Sequence, residues 1–267
     1  MFTYPHMKSA HLFRLLAFLP VFTITTFAFT QDASLASSSP LCFIENRGQI
    51  AEPDGAVADE VLFSVRQDGL CIFVFRDGLS YQFQKTTAAY ERLANTDEDI
   101  PLMQQLETHR FEVRFVGAQG TQVTTEEALP YYETFYSDVL HSGIQANAFQ
   151  KIIIHELYPN IDWVIYAQAG KLKYDIIVHP GGDPSAIKMS VAGAETQVLN
   201  DGKQIQYHTL LGDVLDGDLF CYQQDTSLPV EARFTQHDDR VFIELSAYNK
   251  TQDLIIDPSL EWSTFYG

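Results

Sequence analysis

The sequence predicts an all-β protein, built as an antiparallel β-sandwich-like domain or pair of domains with short helical insertions. Two observations support this class: apolar and polar residues alternate over several short runs, and Asp-Gly pairs separate neighbouring runs. Alternation at a period of two is typical of half-buried strands. Asp-Gly tolerates the positive φ of tight hairpin turns, and strands joined by such turns are antiparallel, which argues against an α/β fold.

The clearest strands are three runs with one apolar and one polar face. In "RFEVRFV" the apolar side chains are Phe111, Val113 and Phe115. In "KLKYDIIV", which spans residues 171–178, the apolar residues alternate with Lys171, Lys173 and Asp175. "VFIELSAY" repeats the pattern over residues 241–248. Each run predicts a strand with one face toward a core and the other toward solvent.

Turn residues connect the remaining runs. Asp-Gly stands at 68–69 and 77–78 within "RQDGLCIFVFRDGLSYQF", and again at 201–202. The first two pairs predict a three-stranded antiparallel meander over residues 66–83.

Helical signals are scarce. Thr86–Glu107 is polar and rich in Ala, Glu and Gln, so we expect one or two short surface helices there. Asp183 before Pro184 offers an N-cap and a favourable first helical residue, enough for a single turn.

The first thirty residues have the composition of a cleaved leader. Lys8 and Arg14 precede the apolar run of residues 15–29, and Ala28-Phe29-Thr30 forms a plausible cleavage site. The apolar run is short for a membrane span. We therefore expect residues 1–30 to be a signal peptide and residues 31–40 a linker. The expected location is outside the cytoplasm: secreted, at the cell surface or in the periplasm, without a membrane span after cleavage.

The charge balance disfavours nucleic acid as a partner. The chain has 35 acidic and 17 basic residues, a net charge of −18. An acidic surface without a basic cluster repels phosphate backbones. Cys42, Cys71 and Cys221 are too few for a disulfide framework, and Cys71 and Cys221 lie in apolar runs typical of a core.

The sequence has no recognisable catalytic or cofactor motif. A nucleophile elbow, a P-loop, a dinucleotide fingerprint and a C-x-x-C pair are all missing. We therefore predict no catalytic residue and no cofactor. The histidines beyond the leader have no spacing suited to a local metal pair, although they could converge in space; they are His109, His141, His155, His179, His208 and His237.

The weak candidates for metal ligands are Asp213, Asp216 and Asp218 in "GDVLDGDLF". Their spacing does not fit a calcium loop, which needs a Glu twelve residues from its first ligand. Asp216-Gly217 is also a good turn pair, and we favour a turn over a metal site.

Aromatic residues at 131–136 leave two interpretations open. Tyr131, Tyr132, Phe135 and Tyr136 could form a platform for stacking on a sugar ring, as a carbohydrate-active hydrolase with a carboxylate pair would need. Such clusters are more often core or sheet packing, and we favour packing.

Five stretches, in this order, resemble one family: "FIENRGQ", "RFEVRFVGA", "LYPNIDWVIY", "LKYDIIVHPGGDPSAIKMSVAGA" and "LIIDPSLEWSTFYG". Together they resemble the N-terminal domain of the SBBP-repeat proteins, secreted bacterial β-propeller proteins common in Bacteroidota. The resemblance implies a β-rich domain over residues 41–258. It also implies that residues 259–267 begin a propeller repeat, and that the propeller itself is missing from this chain.

The expected function is that of a non-enzymatic secreted or cell-surface β module, which packs against or precedes a β-propeller and has a structural or adhesion role. Its possible partners are a β-propeller, within or between molecules, and an extracellular glycan or protein. One alternative is a carbohydrate-active hydrolase that uses a carboxylate pair. The other is a truncated remnant without independent function. The segment after Pro258 is expected to stay exposed, because Pro258 interrupts the preceding strand.

Overall fold

The computed structural model describes residues 41–51, 56–67, 69–92, 99–137 and 140–264. The predicted signal peptide and linker lie outside these residues. The described residues form sixteen strands and two single 3-10 turns, at Pro184–Ala186 and Asn200–Gly202, which confirms the all-β class. In chain order the strands are β1 (Phe43–Glu45), β2 (Phe63–Gln67), β3 (Leu70–Phe75), β4 (Gly78–Arg92), β5 (Asp99–Phe115), β6 (Gln122–Ser137), β7 (Leu140–Tyr158), β8 (Ile161–Gln168), β9 (Lys171–Val178), β10 (Lys188–Ala192), β11 (Glu195–Leu199), β12 (Gln204–His208), β13 (Gly212–Gln223), β14 (Ala232–His237), β15 (Arg240–Leu245) and β16 (Leu254–Thr264).

All the strands belong to one antiparallel sheet with two halves joined by β7. The first half runs β1-β2-β3-β4-β5-β10-β15-β14, and the second runs β8-β9-β16-β13-β12-β11. β7 pairs with β1 through Phe149 and Ala148 and with β8 through residues 151–154. β6 pairs with β7 as well. One long strand therefore belongs to both halves.

The two halves pack face to face around a single large core. Phe111 of β5 lies 5.6 Å from Tyr207 of β12, measured between ring centroids. Phe115 of β5 meets the ring of Trp163 in β8 edge to face at 5.1 Å. Both halves turn one apolar face inward, as expected from the alternation along each strand. The architecture is thus a sandwich made by one sheet that bends back on itself.

The far ends of the sheet also approach each other, so that the sandwich is nearly closed. β14, the last strand of the first half, contacts β11 and β13 of the second half. The Lys203 ammonium donates a hydrogen bond to the Ala232 carbonyl across this seam, at 2.7 Å. Asp201 and Gly202 both adopt positive φ in the adjoining turn, as the Asp-Gly pair predicts.

The meander predicted over residues 66–83 is confirmed. β2, β3 and β4 pair antiparallel in sequence order. The 3-10 turn predicted after Asp183 is confirmed too, since the Asp183 carboxylate accepts the N–H of Ser185 and Pro184 begins the turn.

The helices expected in Thr86–Glu107 are wrong. Residues 86–92 continue β4 and residues 99–107 belong to β5, paired residue by residue from Thr86 opposite Leu106 to Arg92 opposite Asp99. The two strands extend the core hairpin that begins at Gly78. The polar, Ala-, Glu- and Gln-rich composition of this segment lacks the alternation by which a strand is recognised in sequence, so it resembles a surface helix.

The segment after Pro258 does not stay exposed over the described residues. β16 continues through Pro258 to Thr264, and its last four residues pair with residues 212–215 of β13. Leu260 is buried, and the half-buried Trp262 packs against the main core. Proline is tolerated at position 258 because the register between β16 and β13 shifts there. The shift lies between Gly217 and Phe220 of β13. The assignment of residues 259–267 to a propeller repeat stays a prediction.

The cysteines expected in the core lie there. Cys71 and Cys221 are buried free thiols, as is Cys42. Within the part of the chain that the structure covers, no helix has the length and apolar character needed to cross a bilayer.

Candidate ligand-binding face

The three aspartates proposed as metal ligands do not converge. The Asp213 carboxylate accepts hydrogen bonds from Gln206 at 2.9 Å and from His208 at 2.7 Å. Asp218 is exposed and accepts from Gln204 at 3.2 Å. Asp216 points into the core. The turn favoured at Asp216-Gly217 is also wrong, because β13 runs through both residues and accommodates an irregularity between Gly217 and Phe220.

Asp216 instead belongs to a buried polar cluster. It is 3% exposed, and its Oδ2 accepts a hydrogen bond from the Tyr174 hydroxyl at 2.7 Å. The Tyr207 hydroxyl lies beside the same carboxyl, although neither it nor Asp216 Oδ1 has a well-aligned partner. Burial raises the pKa of Asp216 to about 7, against the lowering effect of the two tyrosines. The cluster is enclosed by the sandwich, so it bears on stability.

Two histidines converge in space on Asp162. Asp162 Oδ2 lies 2.9 Å from His155 Nδ1 and 3.5 Å from His179 Nε2. Asp162 Oδ1 accepts the N–H of Glu156, a residue with a φ of 53°. Burial opposes ionisation of Asp162, but the Glu156 N–H and His155 outweigh it and lower the pKa. Since one oxygen holds the left-handed Glu156, we assign this network to the irregularity in β7 between Ile154 and Tyr158.

These groups do not form a metal centre. Across the described ranges, no three His, Cys, Asp or Glu side chains are arranged to hold a metal ion. An open groove of about 690 Å³ lies near the network, between β6 and the loop that follows β1. Asn46, Arg47, Phe63 and Thr124 are among its lining residues, and the Thr124 hydroxyl lies 2.9 Å from His155 Nε2.

The aromatic cluster at 131–136 divides between two faces of β6. Phe135 is buried in a small second core, and the Tyr131 hydroxyl lies 2.8 Å from the Cys42 thiol. Tyr132 and Tyr136 point the other way and are exposed. The packing interpretation therefore holds for Tyr131 and Phe135.

A pair of carboxylates lies on the outer surface of the second half. β9 and β16 pair with a constant register, with Ile176 opposite Ile256 and Lys173 opposite Ser259. This register places Asp175 directly opposite Asp257. Side chains in such positions have Cβ atoms about 5 Å apart, and like charges there repel each other. Burial, and next the charge of Asp257, raise the pKa of Asp175 to about 6.

Aromatic side chains flank this pair on both sides. On β13, Phe220 is opposite Asp257, and its ring stacks with that of Tyr222 at 5.6 Å. On β8, the Tyr166 hydroxyl donates a hydrogen bond to the Asp175 carboxylate at 3.2 Å. Phe220 is 50% exposed, so its ring is available for contact from outside. We name this surface the aromatic–acid face; its members are Tyr166, Lys173, Asp175, Phe220, Tyr222 and Asp257.

The face offers two kinds of interaction side by side. The exposed ring of Phe220 can stack on an apolar surface, and the carboxylates can accept several hydrogen bonds. Lys173 adds a cation, 3.4 Å from the Asp257 carboxylate. Binding sites for small molecules combine aromatic surface with a few fixed polar groups in this way.

None of this face was singled out from the sequence, although part of it was visible there. The alternation in "KLKYDIIV" places Asp175 and Lys173 on the outer side of their strand. The sequence gives no local signal for the pairing of β9 with β16. Eight other elements lie between these two strands along the chain, six strands and two 3-10 turns. An acid pair created by the register of distant strands leaves no local motif.

These features define an all-β sandwich domain with a candidate ligand-binding face and an enclosed core. The model of one protein family, described as a domain of unknown function (DUF7948), matches residues 43–259. The chain belongs to this family. No curated protein matches the chain, and neither does any solved structure.

Proposed function

We propose that the chain is a secreted or cell-surface β module that binds an extracellular glycan through the aromatic–acid face without turning it over. The observation that carries this proposal is the combination of the exposed Phe220, stacked on the half-buried Tyr222, with the opposed Asp175 and Asp257. Sugars present apolar C–H surfaces to aromatic rings and hydroxyl donors to carboxylates, so both halves of the face have a partner on a saccharide.

Binding fits this face better than catalysis does. The carboxylates lie on the outer surface of a sheet, with side chains that are only partly buried. Enzymes that break glycosidic bonds hold their acids in a cleft that excludes bulk water. An open sheet surface instead suits a carbohydrate that passes over it.

A following β-propeller is the second part of the proposal. It is supported by the resemblance of "LIIDPSLEWSTFYG" to the start of a propeller in SBBP-repeat proteins. β16 carries this segment and is itself part of the aromatic–acid face through Asp257. A propeller attached here would lie next to the proposed glycan site, in keeping with an adhesion role.

The test is glycan-array binding of the purified chain, followed by mass analysis of each bound glycan. We expect binding to discrete glycans that are recovered intact. Phe220→Ala combined with Tyr222→Ala should abolish binding, whereas the matched control Tyr136→Ala, which removes an exposed ring outside the face, should not. Equal loss in both variants, or no binding to any glycan, would refute the proposal.

A hydrolase is the second candidate, because Asp175 and Asp257 are neighbouring carboxyl groups, and a pair of carboxyl groups is what glycosidases use. Its signature is release of new reducing ends from a bound glycan. If such activity exists and Asp257→Asn abolishes it while leaving binding in place, the module is an enzyme.

A further inference from the structure

The charges around Asp175 and Asp257 do not cancel. Lys173 contacts Asp257 at 3.4 Å, whereas Asp175 accepts its hydrogen bond from a neutral hydroxyl. The neighbouring lysines are engaged elsewhere: Lys151 pairs with Glu126 at 2.7 Å and Lys171 pairs with Glu261 at 2.6 Å. The pair with its single lysine therefore has a net charge of about −1 when both acids are ionised.

Every strand around Asp175 contributes a group that acts on it. Asp257 on β16 disfavours its ionisation, and so does burial; the lysines favour ionisation. Tyr222 on β13 also interacts electrostatically with Asp175. The titratable groups facing Asp175, from β7, β8, β9, β16 and β13 respectively, are Lys151, Tyr166, Lys173, Asp257 and Tyr222.

The aromatic rings beside this unbalanced charge fit the same kind of ligand. A cation is attracted both by carboxylates and by the faces of aromatic rings within about 6 Å. Phe220 is opposite Asp257 in the sheet and stacked on Tyr222. A ligand group between the two aspartates would therefore adjoin a ring that is half exposed.

We propose that the glycan bound by the aromatic–acid face carries free amino groups, with one ammonium between Asp175 and Asp257 and its sugar ring on Phe220. This inference rests on the proposed function and specifies its ligand class. The ammonium supplies the positive charge that the acid pair lacks, and it donates hydrogen bonds to both carboxylates. An N-acetylated sugar has the same ring but no charge to offer.

Binding of such a ligand is linked to protons. Burial and Asp257 hold the pKa of Asp175 near 6, so this carboxyl binds a proton in mildly acidic solution and the charge on the pair falls. Affinity for the amino sugar should therefore rise between about pH 5 and pH 6. It should fall again near neutral pH, because the oxygen atoms beside a sugar amine lower its pKa well below that of a lysine and the ammonium loses its proton there.

The experiment is isothermal titration of the purified chain with a β-1,4-glucosamine oligosaccharide and with its fully N-acetylated counterpart. We expect the amino form to bind about tenfold more tightly at about pH 6, where the sugar amine is still protonated, the effect of one partly exposed charge interaction of about 1.4 kcal/mol. Asp175→Asn with Asp257→Asn should abolish this preference and the pH dependence. Phe220→Ala should weaken the binding of both sugars.

The control double variant Asp238→Asn with Asp239→Asn removes the same number of charges from the exposed turn between β14 and β15, away from the face. If the amino sugar binds merely through the overall negative charge, this control will weaken binding as much as the double substitution in the face, and the inference is overturned. Equal binding of both oligosaccharides at the face also overturns it but leaves the proposed function standing. Absence of binding by any glycan removes both. Thermal melting of each variant establishes that it is folded.

Discussion

At the scale of single residues, Asp216 shows how burial turns an ordinary side chain into a determinant of pH behaviour. Its carboxyl is enclosed with Tyr174 and Tyr207, and its pKa rises from 3.8 to about 7. Between these two pH values the folded protein holds a proton that the unfolded chain has released. Stability therefore falls as the pH rises through this window, by up to about 4 kcal/mol for a change of three pKa units.

We expect Asp216→Asn to remove this dependence. The amide keeps the size of the carboxyl and can still accept from Tyr174, but it never becomes charged. The variant should match the parent protein below about pH 4 and increasingly exceed it in stability up to about pH 8, as measured by urea unfolding across this range. If the difference between the two proteins does not change with pH, Asp216 is not the titrating group.

The sequence could not have predicted this role. Asp216 lies in "DVLDGDLF", where acidic residues and a glycine favour a turn by every local criterion. The β-irregularity between Gly217 and Phe220 shifts the strand, and the core then encloses a side chain that local pattern places at the surface. Neighbouring strands decide the environment of this residue.

At the scale of elements, β16 gives the sharpest prediction. Its last residues pair with β13, and Trp262 packs on the core. Deletion of Glu261–Gly267 should therefore destabilise the domain by about 2–4 kcal/mol, because it removes backbone pairing and packed aromatic surface together. Thermal or denaturant unfolding measures this.

Single substitutions show whether the loss of stability in this deletion comes from the packed Trp262 side chain or from the shortening of the strand. Trp262→Ala should account for a large part of the loss, whereas Ser263→Ala, a change at an exposed position of the same strand, should have little effect. A deletion without any loss of stability would mean that β16 contributes nothing beyond Leu260.

At this scale the sequence predicted best where strands are half buried. β9 and β15 alternate cleanly, since each has one face on the core. β2 and β3 are buried over most of their length, and their pairing is predicted by the Asp-Gly turns instead. The composition of residues 86–107 carries no period of two, so in sequence this part of the β4–β5 hairpin resembles a surface helix.

At the scale of the whole molecule, the seam between β14 and the β11–β12 turn closes the sandwich. Gly202 in this turn has a φ of 86°, and a Cβ there would lie 2.7 Å from Arg233 Cβ and 2.8 Å from the Phe234 carbonyl oxygen. Gly202→Ala should therefore destabilise the protein through both the backbone conformation and the collision with β14.

A matched control separates these two effects. Gly170 has a similar φ of 76° in the β8–β9 turn, but a Cβ there would meet nothing within 4 Å. Gly170→Ala should cost about 1 kcal/mol and Gly202→Ala distinctly more, by urea unfolding. If the two substitutions lower the free energy of unfolding equally, the seam accommodates the added Cβ and contributes little to closing the sandwich.

The pairing of distant strands could not be predicted from the sequence. Alternation and turns predict which neighbours pair, and they succeed for the β2–β4 meander. The pairing of β5 with β10, of β9 with β16 and of β1 with β7 joins distant segments with no shared signal. The aromatic–acid face depends on one of these pairings, which is why the strands could be predicted but the site could not.

The strand shared by both halves, β7, has a consequence for how the chain acquires its structure. Phe43 pairs with Phe149, so the first half cannot complete its register until a segment about a hundred residues later has been placed. Contacts of such long range make folding slow, on a scale of milliseconds to seconds or longer. β7 also pairs with β8, so a substitution that removes packing from β7 should slow the refolding of both halves together. Ile152→Ala, at a fully buried position of β7, tests this in a stopped-flow experiment. The sandwich would then assemble from its middle outward, with the seam closing last.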